Sequence, residues 1–284
     1  MAAHTVARRM PEGSRMGEME PQLTEAEQKE AEERSSVTVH VVHEAVRREG
    51  EEELKRSNSA LGWSGLAAGL SMGFSLMTEA VLRAGLPASP WRPLITKLGY
   101  SAGFVLVILG RQQLFTENTL TPILPLLHKT QGATLRNVLR LWVAVFLANM
   151  AGTLAVAWVL GNTGMFEPNV RAAFVDIARE SIAPGFGMVL LRGVFAGWLI
   201  AMLVWVLPFA ETARFFVIVF LTWIIGIARF SHVVAGSVDV FVLAWSGQTS
   251  FAHAIGGFVL PALIGNVLGG VSLVAALNHA QVVS

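Results

Sequence analysis

A polar stretch interrupts an apolar run in the first half of the chain. The run KLGYSAGFVLVIL is followed at residues 110–123 by GRQQLFTENTLTPI. The small side chains of Thr116, Asn118 and Thr119 could hydrogen-bond a passing solute as well as neighbouring backbone groups. Pro122 indicates the start of a further helical piece, because the first helical turn does not use the N–H that proline lacks. The N-terminus of such a piece would favour an anion.

A second polar stretch, ARFSHVVAGSVDV, places His232 inside another apolar segment. An ionisable side chain within a membrane segment indicates a functional role, and imidazole titrates near neutral pH. If this stretch is helical, Arg229 and His232 share a face, and the arginine could hold an anion itself while histidine serves as a hydrogen-bond partner. An ion pair of Arg229 with Glu117 or Asp239 is the alternative. A pair with Glu117 would act as a gate that partly plugs the passage.

The composition predicts an all-α membrane protein. Of 284 residues, 53% are hydrophobic and only 14% are charged, which is more apolar than a soluble domain of this length needs. A helix requires about 20 mostly apolar residues to cross the hydrocarbon. Six such segments occur, and the second and fifth are broken by the two polar stretches: 59–84, 95–128, 138–162, 184–208, 214–246 and 253–279.

Charge divides the chain near residue 57. Residues 1–57 hold nine Lys/Arg and thirteen Asp/Glu, whereas the remainder holds twelve and seven. We therefore predict an acidic cytoplasmic tail, partly helical or disordered, followed by a transmembrane domain over 58–284. Basic residues in the segments 128–140 and 209–214 place these loops and both termini in the cytoplasm.

Several classes of site are not expected. The chain has no cysteine, so disulfides and thiolate chemistry are excluded. His40 and His43 have no second ligand cluster nearby, so we predict no metal or cofactor. No phosphate-binding or hydrolase motif lies in a suitable context, which predicts that the protein is not an enzyme. The basic segment 128–140 fits membrane topology, and no nucleic-acid partner is predicted.

The two halves of the membrane domain share a pattern. LANMAGTL at 147–154 matches IGNVLGGV at 264–271, so Asn149 pairs with Asn266 at a displacement of 117 residues, which also pairs Phe115 with His232. Three segments per half predict two inverted repeats, about 58–163 and 184–280. Irregular backbone at membrane depth requires protein or a water-filled cavity beside it. Both breaks are therefore predicted to face one pore, although asparagine beside glycine is also typical of helix packing.

These residues resemble the formate/nitrite transporter family over 58–284. The resemblance is carried by LFT at 114–116, RGVFAGWL at 192–199, FSHVVA at 230–235 and IGNVLGG at 264–270. It implies an aquaporin-like subunit with six helices, assembled as a homopentamer with one pore per subunit. Members pass small monovalent anions of weak acids, and for this chain the resemblance implies a bacterial inner membrane protein.

The resemblance also assigns roles to individual residues. His232 matches the central pore histidine, Thr116 the threonine that faces it, and Asn266 the asparagine near it. The positions that match the apolar constriction are Leu114, Phe115, Tyr100, Phe104 and Ile225. The chain departs from the family at five positions. Members usually have an acidic residue in place of Gln113, a small residue in place of Glu117 and a glycine-like residue in place of Arg229. They usually have an asparagine in place of Gly197 and a lysine in place of Ser181.

The predicted function is passage of small weak-acid anions, coupled to protons through His232. A bare anion loses several kcal/mol or more on entering an apolar constriction, whereas a neutral acid avoids most of that loss. Thr116, Asn266 and His232 would bind the anion where it gains a proton, from histidine or through relayed water. Two alternatives stay open: a pore for neutral solutes, and a membrane scaffold or sensor that acts through its acidic tail.

Overall fold

The computed structural model describes residues 38–128, 132–277 and 280–281, and in this part of the chain all regular structure is helical. The first 37 residues of the predicted tail lie outside it. The main helices are α1 Val39–Lys55, α2 Asn58–Gly85, α3 Arg92–Leu109, α4 Ile123–His128, α5 Gly132–Asn162, α6 Pro168–Ile182, α7 Phe186–Val206, α8 Arg214–Ile227 and α9 Val233–Trp245. The last helical run, α10, joins Phe251–Ala254, Ile255–Val259, Leu260–Leu268 and Gly269–Ala276, of which the second and fourth are π-helical.

Five helices of the described chain are long and apolar enough to cross a membrane. They are α2, α3, α5, α7 as extended to Phe186–Phe209, and the part of α10 over Phe251–Ser272. The predicted fifth segment, 214–246, consists of two short helices, α8 with 14 residues and α9 with 13, joined by a non-helical stretch. Its assignment as one broken crossing stays a prediction.

Glycines let the main helices pack at backbone distance. A Cβ atom on Gly152 of α5 would lie 2.6 Å from the carbonyl oxygen of Leu66 on α2, and one on Gly193 of α7 would lie 3.1 Å from that of Ala262 on α10. Helices can approach this closely only where the side chain is missing. The same arrangement thus joins α2 to α5 and α7 to α10.

Helix α6 lies between the third and fourth predicted apolar segments. Pro168 occupies its first turn, and Val170, Phe174 and Ile177 are buried along one side at helical spacing. The helix packs against α9 and α2. Its last turn carries Glu180 and Ser181 toward the second break. The first turns of α5 correct the loop predicted over 128–140, since residues 132–140 are helical.

Helix α1 docks against the apolar helices by backbone contacts. The Arg140 guanidinium of α5 donates to the carbonyl oxygens of Leu54 and Arg56 at 2.8 and 3.0 Å. A Cβ atom on Gly50 would collide with the backbone carbonyl of Thr121. Part of the predicted tail is therefore a helix held directly against the first break.

Candidate functional site

Asn149 holds the backbone of the first break. Helix α3 ends at Leu109, and only one 3₁₀ turn, Glu117–Thr119, forms before residue 123. The Asn149 side chain accepts from the Phe115 N–H at 2.9 Å and donates to the carbonyl oxygens of Gln113 and Gly65 at 2.9 and 2.8 Å. One buried amide thus satisfies backbone groups that a helix would have paired.

Asn266 does the same for the second break. It accepts from the Val233 N–H at 2.8 Å and donates to the carbonyl oxygens of Ser231 and Gly193, both at 2.8 Å. Both hydrogens of its amide are used in these bonds, so Asn266 has no free donor for a substrate in this structure, and its part in substrate binding stays a prediction. The bonds are the helix-holding ones that the Asn–Gly pattern also suggested.

The two asparagines correct the register between the halves. Asn149 binds Gln113 and Phe115, whereas Asn266 binds Ser231 and Val233. The breaks are thus displaced by 118 residues, one more than the asparagines. The predicted equivalence of Phe115 with His232 is wrong by one residue, and His232 corresponds to Leu114.

Thr116 and His232 meet between the two breaks. Thr116 Oγ1 and His232 Nε2 are 2.7 Å apart, and both residues are buried. His232 is also the N-cap of α9, because its Nδ1 accepts from the Ala235 N–H at 3.1 Å. An accepting Nδ1 carries no proton, so the proton of the neutral ring lies on Nε2 and is donated to Thr116. The contact joins residues 116 positions apart in the chain.

Apolar side chains surround this contact. The Phe104 ring meets the His232 ring edge-on with centroids 4.9 Å apart, and the Tyr100 ring lies 5.3 Å from that of Phe104. Leu114, Phe115 and Ile225 are also buried. Four of the five predicted constriction residues are therefore buried near the two breaks, and Tyr100 is partly buried.

Aromatic residues of α5 support the first break from behind. The Phe115 ring lies 5.2 Å from that of Phe146 and 6.0 Å from that of Trp142. The Trp142 indole N–H donates to the Asn118 carbonyl oxygen at 2.7 Å. The loop is therefore fixed by one packing contact and one hydrogen bond to the same tryptophan.

A small cavity of about 60 Å³ reaches His232 on one side. We call it the histidine cavity; it is lined by Tyr100, Ile225, His232 and Phe258 together with the charged side chains Glu79, Lys97, Glu180, Arg192, Arg229 and Asp239. Ion pairs join Lys97 to Glu79 at 2.5 Å and Arg83 to Glu180 at 2.9 Å. Glu79 and Arg83 therefore do not form the i,i+4 pair that their spacing suggested.

Arg229 does not form the predicted gate with Glu117. Its guanidinium lies 3.5 Å from Glu180, and Glu117 lines a different cavity. Asp239 instead accepts from the Ser181 hydroxyl at 2.8 Å. The helical premise is also wrong, since Arg229 has φ of +54° and the chain from it to His232 is not helical.

A larger cavity of about 570 Å³ lies between α1 and the first break. We call it the α1 cavity; its polar lining is Glu49, Glu52, Glu53, Arg56, Arg111, Gln112, Gln113, Glu117, Thr121 and Arg214. Glu53 accepts from Thr121 Oγ1 at 2.5 Å and from Gln113 Nε2 at 3.2 Å. Burial raises the pKa of Glu53 to about 7 although both hydrogen bonds favour its charged form. Leu114, Phe115 and Thr116 line neither cavity and form a buried layer at the breaks.

Most of the chain matches the model of one known protein family. The family model described as "Formate/nitrite transporter" matches residues 40–280. The chain belongs to the formate/nitrite transporter family. This confirms the resemblance and extends it to residue 40, so that the family region includes nearly all of α1.

Relatives in the formate/nitrite transporter family include named proteins of enteric bacteria. "Inner membrane protein YfdC" of Escherichia coli (strain K12) is 39% identical over 241 residues, covering 85% of this chain and 78% of that protein. "Nitrite transporter NirC" of Salmonella typhimurium is 25% identical over 222 residues, covering 76% and 81%.

Solved structures of this family share the fold. A chain described as "FNT family ion channel" superposes with a TM-score of 0.70 at 21% identity, covering 86% of this chain and 98% of the other. A "Pentameric formate channel with formate bound" gives a TM-score of 0.65 at 18% identity, covering 84% and 99%. The all-helical architecture is thus that of the family's channels.

Sequence reasoning missed the charged wall of the histidine cavity. Lys97, Glu180 and Asp239 approach the site from α3, α6 and α9. The helical spacing of buried residues in 168–182 could have indicated that α6 brings Glu180 inward. Nothing in the sequence indicated that Lys97 pairs with Glu79 across two helices.

Proposed function

We propose that this member of the formate/nitrite transporter family passes small monovalent weak-acid anions through the layer at Thr116 and His232. The observation that carries the proposal is the 2.7 Å contact between these two buried side chains. Charged cavities approach the breaks separately, one lined by His232 and one by Gln113 and Glu117. A solute that moves between them has to displace the Thr116–His232 hydrogen bond.

The proposed architecture is two inverted three-helix repeats in an aquaporin-like arrangement, with α3–α4 and α8–α9 as the broken crossings. The matching hydrogen bonds of Asn149 and Asn266 support it, because each asparagine holds the break of its own half by the same three backbone groups. The repeats run over about 58–163 and 184–280. Leu114, Phe115, Tyr100, Phe104 and Ile225 form the apolar constriction of the route.

The proposed mechanism couples the anion to a proton through His232. Phe104 and its apolar neighbours raise the desolvation cost of an anion that enters the layer. An anion that replaces Thr116 as partner of Nε2 takes the Nε2 proton while Nδ1 gains one from the histidine cavity, so the ring passes to its other tautomer. Protonation of Nδ1 removes the acceptor of the Ala235 N–H. The loss of this bond favours rapid return of the His232 ring to its first tautomer. The neutral acid then crosses without the full desolvation cost.

We further propose the cellular setting that the relatives suggest. The chain would be a multi-pass protein of the bacterial inner membrane, as the printed name of its Escherichia coli relative states for that protein. It would assemble as a homopentamer, as the described formate channel does. Both termini would be cytoplasmic, with residues 1–57 as the acidic tail. Formate and nitrite are the first substrates to test.

His232→Asn tests the proposal without removing the helix cap, because asparagine is also a favourable N-cap. We expect formate and nitrite uptake into proteoliposomes to fall at least tenfold and to lose its acceleration at low external pH, with the oligomer intact. Thr116→Val removes the other partner and should lower uptake similarly. Undiminished, still pH-dependent uptake in His232→Asn would refute the role of histidine, and pH-independent flux in the wild type would favour a neutral-solute pore.

A further inference from the structure

Both breaks begin with the same helix-ending turn. After α3, the Gln112 N–H bonds the Val107 carbonyl oxygen at 2.9 Å; after α8, the Phe230 N–H bonds that of Ile225 at 3.0 Å. Each turn passes through one residue of left-handed backbone, Arg111 with φ of +50° in the first and Arg229 with φ of +54° in the second. The two arginines are 118 residues apart, which is the displacement that relates the breaks.

Arginine is an unusual choice at this position. Helices that end in such a turn usually have glycine there, because a side chain is crowded in left-handed backbone. In the described chain the only other non-glycine residue with positive φ is Glu211. The protein therefore accepts the same unfavourable conformation twice, at equivalent positions of the two breaks. Strain of this kind is kept where the side chain has a function.

The two arginines reach different cavities. Arg111 is exposed and lines the α1 cavity, whereas Arg229 is exposed and lines the histidine cavity. The buried layer of Leu114, Phe115 and Thr116 lines neither cavity. A fixed positive charge is thus present on each approach to the layer. Guanidinium stays protonated at all relevant pH values, so these charges do not depend on pH.

Neither arginine is fully neutralised by an ion pair of its own. Arg229 shares its partner Glu180 with Arg83, so this group of three carries one excess positive charge. Arg111 has no ion pair within the described residues, and the α1 cavity also contains four glutamates and two further arginines: Glu49, Glu52, Glu53, Glu117, Arg56 and Arg214. An approaching anion meets carboxylates there, and Arg111 stands at the turn that leads into the layer.

We propose that Arg111 and Arg229 are a matched pair of anion-recruiting residues, one on each approach to the Thr116–His232 layer. The inference rests on the proposed function and makes it more specific: the substrate reaches the layer from either side as the anion, and any proton joins it inside. Placing the charge on the backbone turn itself holds it near the route. A fixed positive charge beside the route raises the local concentration of anions, and rising salt screens this effect.

The test replaces each arginine by the residue that the turn prefers. Arg111→Gly, Arg229→Gly and the double variant should fold as well as the wild type or melt at higher temperature, because glycine relieves the left-handed conformation. Arg111→Lys and Arg229→Lys keep the charge. Arg136→Gln, at an exposed position of α5, is the control for loss of a surface charge. The readouts are formate uptake and efflux in uniformly oriented proteoliposomes and melting temperature in detergent.

We expect each glycine variant to lower formate flux about tenfold for anions that approach from its own side. One single variant should therefore be slow mainly in uptake and the other mainly in efflux, and the double variant should be slow in both directions. Rising ionic strength should slow the wild type but not the double variant. The lysine variants and Arg136→Gln should keep most of the flux.

Three results would overturn the inference. Glycine variants with unchanged formate flux in both directions would remove the recruiting role while leaving the proposed function standing. A fall in melting temperature in both glycine variants would show that the arginines are structural. A wild type that carries neither formate nor nitrite would refute the proposed function itself, and the inference with it.

Discussion

Asn149 and Asn266 show how a single residue permits irregular backbone in the middle of an apolar protein. Each is buried and makes three hydrogen bonds to backbone groups, two at a break and one on a neighbouring helix. A buried polar group left without its partner costs about 1–3 kcal/mol. The breaks are therefore held at fixed positions by two side chains and do not depend on the solute for their hydrogen bonds.

Asn149→Ala is expected to lower the free energy of unfolding by at least about 2 kcal/mol, because it leaves the Phe115 N–H and the Gln113 carbonyl oxygen unpaired. The control is Asn162→Ala, since exposed Asn162 makes only an intrahelical bond to the Trp158 carbonyl at 3.2 Å. Denaturant titration in detergent measures both. Equal stability of the two variants would contradict the assignment of Asn149 as the residue that holds the break.

The sequence identified these residues but not their register. The match of LANMAGTL with IGNVLGGV located both asparagines, yet the same displacement missed the partner of Phe115 by one position. From Phe115 to Asn149 the chain advances 34 residues, and from Val233 to Asn266 it advances 33. A repeat displacement measured at one motif does not carry through connections of unequal length, and side-chain bonds show the correct pairing.

At the scale of helices, glycine spacing determines which elements can approach. Gly69 and Gly152 lie in the contact between α2 and α5, and a Cβ atom on Gly69 would collide with the Asn149 carbonyl. Gly197 and Gly269 serve α7 and α10 in the same way. The contacts also align the two asparagines, because Asn149 and Asn266 are on the helices that these glycines admit.

Gly69→Ala should destabilise the protein and lower anion flux, whereas Gly62→Ala should not. Both glycines are inside α2, where alanine is favoured by up to about 1 kcal/mol in an isolated helix. A Cβ atom on Gly62 meets nothing within 4 Å, so this variant reports the helix preference alone. Melting temperature and proteoliposome uptake distinguish the two. A Gly69→Ala variant as stable as Gly62→Ala would show that the helices can separate without consequence.

Helix α6 marks the limit of sequence reasoning at this scale. The chain from Pro168 to Ile182 is too polar and short to cross a membrane, and the sequence predicted no helix there. Its buried residues nevertheless follow the i, i+3, i+4, i+7, i+8 pattern of one helix face: Val170, Ala173, Phe174, Ile177 and Ala178. A short amphipathic helix that packs on other helices has the composition of a connection, so only the period could have distinguished it.

At the scale of the whole molecule, α1 belongs to the charged N-terminal part of the sequence and also contacts the first break of the proposed route. Glu53 inserts into the α1 cavity and binds Thr121 and Gln113, while Gln113 accepts from Asn118 Nδ2 at 2.9 Å. The docked helix therefore contacts both ends of the first break. The sequence analysis assigned α1 to the tail because the tail is acidic and the membrane domain is basic. In the structure α1 nevertheless packs directly against the helices of that domain.

Docking of α1 should weaken as pH rises. The pKa of docked Glu53 is raised to about 7 from its ordinary 4.5, so the docked state binds this proton more tightly than the unfolded state. The contribution is complete below about pH 4.5 and is lost as pH rises through 7, at about 3–4 kcal/mol in total. Relative to Glu53→Gln, the wild type should lose melting temperature between pH 5 and 8.

The neighbouring Glu52→Gln is the matched control for that experiment. Glu52 is exposed, and its ion pair is with Lys55 on the same helix, at 2.7 Å. Its variant should follow the wild type across the whole pH range. A Glu53→Gln protein whose melting temperature varies with pH in parallel with the wild type would exclude Glu53 as the titrating group.

The fluorescence of Trp142 should report movement of the loop at the first break. Its indole N–H is bonded to Asn118 and its ring packs on Phe115, so displacement of the loop changes both the polarity and the quenching that the indole experiences. A chain in which the other seven of its eight tryptophans are replaced by phenylalanine would carry one native fluorophore beside the layer. Its emission would follow each opening in real time, without an attached dye.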